Sequence, residues 1–222
     1  MTSIRFAYRV AALLFLSGLV HLVVFAVDGG PWEGPVSWRK AVTFGLSFGL
    51  TLATYAWVAG WLRLCAGWVW LSTATSALEV ALTTLQAWRR VPSHFNEATA
   101  FDQAVTRGLA VGGAAVIVSV LALAVAAFRA RHLAPSMRLA VRAGTVGLLA
   151  ALAFGGLMIA ERGGSWKLAH GVAMHGVLLL PALARALAST TWTERRRTRT
   201  VALASAAHGA LITAAFGYNA LV

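Results

Sequence analysis

One cysteine, Cys65, and seven acidic residues are all that this chain of 222 residues holds of either kind. A lone cysteine excludes an internal disulfide and any metal cage built on thiolates. Polar surface is scarce as well. Hydrophobic residues make up 59% and mean hydropathy is +0.74, more than the exterior of a soluble domain can carry. No stretch between the apolar runs is long enough to form a soluble domain. These shortages leave a polytopic membrane protein.

Nineteen basic residues against the seven acids give a net charge of +12, which would suit a nucleic-acid partner if it were concentrated on one surface. It is not. Almost all the excess lies in short loops beside apolar runs, so lipid is the expected partner and nucleic acid is not. The first apolar run, AALLFLSGLVHLVVFAV, lacks a small-residue cleavage site before Asp28. It is also longer than a secretory core and contains His21, so it reads as a retained first span.

Apolar windows of roughly 20 residues, the length that spans a bilayer, fall near 6–27, 39–62, 65–88, 104–128, 137–160, 167–189 and 200–222. The expected fold is all-α: a single domain, 1–222, forming a bundle of seven transmembrane helices. Asp28, Glu33, Glu97, Asp102 and Glu161 lie in or beside the first, third and fifth connections. Arg63, Arg129, Arg131, Arg195, Arg196, Arg197 and Arg199 lie in the second, fourth and sixth. Positive charge stays in the cytoplasm, which puts the N-terminus inside and the C-terminus outside. That is the reverse of rhodopsins and G-protein-coupled receptors. A multi-pass protein of the bacterial cytoplasmic membrane is implied.

Polar residues inside the spans follow helical spacing. Ser72, Thr75, Ser76, Glu79, Thr83 and Gln86 share one face of the third span. Ser17, His21 and Asp28 share a face of the first, Thr43, Ser47 and Thr51 of the second, and Ser205, His208 and Asn219 of the seventh. Hydroxyls alone are explained by helix packing. Glu79 is not, because a carboxylate in hydrocarbon must be neutral, wet or partnered.

His170 and His175 stand in the run KLAHGVAMHGVLLL. Five positions apart, they diverge by roughly 140° around a helix, so they cannot grip one metal together. At a rise of about 1.5 Å per residue, Glu79 falls roughly 3 Å outward of its span's midpoint, His175 about 4–5 Å, His21 about 7 Å and His170 about 12 Å. By the same rise His208 falls roughly 4–5 Å inward. His21, His175 and Glu79 therefore form one expected layer of an outward-opening pocket, with His170 nearer its mouth.

Three outer segments complete the candidate site. SWRK opens the second span, placing Arg39 and Lys40 where their anions must lie outside the cytoplasm; WKLAH repeats that theme with Lys167. Between the third and fourth spans, RRVPSHFNEATAFD supplies Arg89, Arg90, His94, Asn96 and Asp102, a dense polar lid or an ordinary interfacial loop. Pro92 is expected to end the third helix, with Ser93 or Asn96 capping a short re-entrant turn. The segments SWRKAVTFGLSFG, RVPSHFN and AHGVAMHG together resemble segments of uncharacterised bacterial, mainly actinobacterial, multi-pass membrane proteins. That resemblance implies the same seven-helix architecture over most of the chain, and carries no established activity.

Three functions compete. A haem b or quinone-linked redox protein comes first, with His21 and His175 or His170 as axial ligands and Arg39, Lys40, Arg162 and Lys167 facing propionates. No diagnostic haem motif is present. Next is a small-solute transporter or sensor, in which Glu79 and the histidines titrate. No broken helix pair or inverted repeat is evident in the sequence. Third is a zinc hydrolase with His21, His175 and Glu79 around the metal. Membrane hydrolases of the ceramidase and adiponectin-receptor type offer an analogy, but their paired histidines stand four residues apart. The small molecule or quinone would enter from the outer side, and the sequence leaves the oligomeric state open.

Overall fold

A computed structural model of the chain describes residues 2–162 and 165–221. Met1, Gly163, Gly164 and Val222 lie outside them, so the glycines of the ERGG turn and the end of the span expected at 200–222 are not described. The described residues form seven helices: α1 (Thr2–Asp28), α2 (Trp38–Leu62), α3 (Ala66–Trp88), α4 (Ala100–Arg129), α5 (Pro135–Ala160), α6 (Lys167–Ala188) and α7 (Glu194–Leu221). The all-helical expectation holds, and the shifts in helix ends have local causes. α4 starts four residues early because Thr99 and Asp102 cap each other, Thr99 Oγ1 donating to Asp102 Oδ2 at 2.7 Å and accepting from Asp102 N at 3.1 Å. The TERRRTR segment joins α7, since arginine is a good helix former although it is too polar for hydrocarbon.

Six helices are long and apolar enough to cross a membrane. α3 is not among them, because its polar residues lower its hydropathy. Ser72, Thr75, Ser76, Glu79, Thr83 and Gln86 are nevertheless all buried, with Val69, Thr73 and Val80, while Leu78, Leu85 and Trp88 face outward. A soluble amphipathic helix does the opposite.

The chain divides into two compact units, one ending at Ser119 and the other beginning at Val120, within α4. In the first, α1, α2 and α3 each pack on the other two. Glycine permits the α1–α2 approach: a Cβ on Gly45 would stand 2.5 Å from the nitrogen and 2.6 Å from the Cα of Gly18. One on Gly49 would stand 2.7 Å from the nitrogen of Phe15. This is the small-residue crossing of membrane helices.

In the second unit α5, α6 and α7 likewise pack each on the other two. Again the first two helices touch backbone to backbone. A Cβ on Gly144 would stand 2.8 Å from the carbonyl oxygen of Gly176 and from the Cα of Val177; one on Gly147 would stand 2.9 Å from the oxygen of Ala173.

The two units share more than helix order. Each closes the end between its first and second helices with three rings: one from its first helix, one from the start or N-cap of its second, and one from its third. In the first unit these are His21, Trp38 and Trp88, with centroids 5.0–6.1 Å apart. In the second they are Phe154, Trp166 and Phe216, 5.4–6.1 Å apart. Trp38 donates its indole N–H to Asp28, which ends α1, at 2.6 Å; Trp166 donates to Glu161, which caps the end of α5, at 2.9 Å. Trp38 and Trp166 stand as many positions apart as Trp88 and Phe216. One three-helix plan is built twice in this chain.

Candidate functional site

His21 is buried and fully occupied. Its Nδ1–H donates to the Ser17 carbonyl at 2.7 Å, and its Nε2 accepts from the Trp88 indole at 3.0 Å. Those bonds fix one neutral tautomer, because Nε2 must carry the lone pair. As arranged, His21 has no nitrogen left for haem iron or zinc.

The lid is folded rather than loose, though it contains no re-entrant helix. α3 ends at Trp88, four residues before Pro92, because Arg90 takes the left-handed conformation (φ 57°). Its amide then donates to Ala87 O and that of Val91 to Gln86 O, the paired C-terminal closure that glycine usually provides. Proline follows the stop and does not cause it.

The side chains of Arg89 and Arg90 part at that point. Arg90 pairs with Asp28 at 2.7 Å and lies over the Trp38 ring, 4.9 Å from its centre. The Asp28 carboxylate beside it holds the Arg90 guanidinium above its ordinary pKa. Arg89 pairs with Asp102 and with the Gln86 carbonyl, and Gln86 donates to the same Asp102 oxygen at 2.9 Å. Asn96 turns the chain by accepting from Ala98 N at 3.1 Å, and its own carbonyl accepts from Thr106 Oγ1 at 2.9 Å. His94 bonds to Ser93 Oγ at 2.8 Å and packs on Phe44. Burial, and then the charge of Lys40, hold the His94 imidazole down to about 4, so it is neutral at ordinary pH. Arg39 pairs with Glu33 at 3.4 Å. Lys40 and Lys167 occupy the first turns of α2 and α6.

Glu79 differs from all of these. It is 4% exposed, and its Oε1 has no hydrogen-bond partner among the described residues. The side-chain partner expected for it is not there. Instead the carboxylate lies against α4 at Gly112, where a Cβ would stand 2.3 Å from Oε1. Gly112 was not legible as a site residue; the only signal was a glycine pair inside an apolar span.

The second unit holds the other histidines. His170 donates from Nδ1 to Ala151 O at 2.7 Å, and His175 donates from Nδ1 to Gly171 O. His208 donates from Nε2 to Val172 O at 3.0 Å, its ring lodged against Gly176. His175 is exposed.

Among the described residues no three His, Cys, Asp or Glu side chains converge as a metal centre requires. The hydrolase reading finds no support there. Comparison with family models, with curated proteins and with solved structures yields no match.

Proposed function

We propose that this chain is a seven-span carrier of a small solute in the bacterial cytoplasmic membrane, with Glu79 as its principal titrating group. The observation that carries the reading is the three-helix plan built twice. Internal repeats of membrane bundles are a recurrent feature of transporters, in inverted and in parallel form. Arginine at the N-terminus, at Arg63, at Arg129 and Arg131, and from Arg195 to Arg199 supports a cytoplasmic N-terminus and an outer C-terminus.

Purified protein in liposomes, challenged with amino acids, organic acids, amines and sugars on a solid-supported membrane, tests the reading. We expect a current or pH change with at least one solute, lost in Glu79→Gln. Silence across the whole panel overturns it.

A redox protein is the second reading, supported by one observation. His170 and His175 each commit Nδ1 to a backbone carbonyl, the arrangement that orients Nε2 for a metal. A haem iron would supply electron transfer at such a nitrogen; His21, with both nitrogens bonded, does not fit as its ligand. A Soret band that weakens in His170→Ala or His175→Ala would displace the carrier reading.

A further inference from the structure

Among the described residues α3 carries two oxygens, one turn apart, that have no hydrogen bond, Glu79 Oε1 and Thr83 Oγ1; Thr84 Oγ1 has none either but lies five positions from Glu79, on another face. The two hydroxyls stand out on their own helix. Thr73, Thr75 and Ser76 all donate to the carbonyl four residues back, at 2.7–2.9 Å, as buried membrane hydroxyls do. Thr83, though fully buried, makes no such bond. Glu79 and Thr83 are four residues apart and so lie on one face. The carboxylate is admitted by Gly112, because any side chain there would take the place of Oε1.

A buried carboxylate must be neutralised or partnered, and the described residues give this one no partner. Among the described residues no cation of α1, α2 or α4 pairs with it. His21 of α1 is bonded to Trp88 and Ser17, and Tyr55 of α2 donates to Ser119 O at 3.1 Å. The other six acids lie at helix ends or in loops, so the local charge is a single negative one. A monovalent cation makes the site neutral, whereas a divalent ion would leave a net positive charge in hydrocarbon. Both donors are hard oxygens, the ligand type of alkali and alkaline-earth ions and of the hydrated proton.

We propose that Glu79 and Thr83, with Gly112 as the positioning residue, form a binding site for a monovalent cation, Na⁺ or a proton. The site deepens the carrier reading by naming its coupling ion. Its occupancy is measured without any solute, so failure of the site and failure of the carrier reading can be told apart.

Infrared difference spectra of the full chain in lipid provide the test. The carboxyl C=O band that disappears in Glu79→Gln is followed against pH in choline chloride, then against added NaCl at fixed pH. Loss of the band on adding Na⁺ assigns a Na⁺ site, and loss only on raising pH assigns a proton site; either result supports the proposal. In both cases Gly112→Ala shifts the midpoint at least tenfold, because its Cβ displaces Oε1, while Gly113→Ala, with open space around it, leaves the midpoint unchanged. A Glu79 band absent or constant under both titrations overturns the proposal. So does an unshifted midpoint in Gly112→Ala.

Discussion

Replacing Gly45 with alanine adds one methyl group at the point where α1 and α2 touch. Its Cβ would lie 2.5 Å from Gly18 N, 2.6 Å from Gly18 Cα and 2.9 Å from Leu14 O, where ordinary contact begins at 3.4 Å. All three are backbone atoms, so no rotamer change relieves the overlap and the helices must part by about 1 Å. Overpacking of this kind costs about 1–3 kcal/mol, less the roughly 1 kcal/mol that alanine gains over glycine in a helix. Gly113→Ala has the same chemistry with nothing within 4 Å of the added carbon. It gains the propensity without the overlap. The propensity gain is common to both, so the two variants should differ by the overpacking alone, about 1–3 kcal/mol, read as unfolding midpoints in an SDS titration of purified protein. Gly144→Ala should behave like Gly45→Ala, because its Cβ meets the backbone of Gly176 and Val177. Equal midpoints for Gly45→Ala and Gly113→Ala would refute the close crossing.

Other outcomes follow from the hydrogen bonds. Trp88→Phe keeps the ring triangle but removes the donor to buried His21 Nε2, and should cost about 1–2 kcal/mol in the same titration. His94 is held near 4 when folded and titrates near 6.5 when free. Between those values the unfolded chain binds a proton that the folded chain refuses, so stability falls as pH drops through the window and is flat above it. The loss approaches about 3 kcal/mol at its acid end and should be absent from His94→Gln. Asp102→Ala leaves Arg89 and Gln86 without their shared acceptor, so limited proteolysis should cut the segment between α3 and α4 faster than in the parent.

Much of the architecture is legible from the residues. Apolar runs locate the seven helices because a membrane-type helix is apolar nearly all round, and the spacing of Ser72, Thr75, Ser76, Glu79 and Thr83 marks the face that α3 buries. What helical phase cannot supply is the identity of the neighbour opposite. His21 faces Trp88 rather than a metal, and Glu79 faces a glycine, the one residue type that leaves no side-chain signal. The duplicated plan is hidden for a similar reason. Its shared features are a tryptophan bonded to a carboxylate and a triangle of rings, and His21 in one unit corresponds to Phe154 in the other. The geometry repeats while the letters mostly do not.

Every functional statement rests on Glu79 lying in hydrocarbon, which requires α3 to cross the membrane. The exposed Cys65, between α2 and α3, is the only thiol in the chain and reports this directly. In intact cells a membrane-impermeant maleimide should leave Cys65 unlabelled until lysis. A Glu97→Cys reporter, beyond α3 and placed in a Cys65→Ser background, should label from outside. Matching accessibility at the two positions would contradict the crossing.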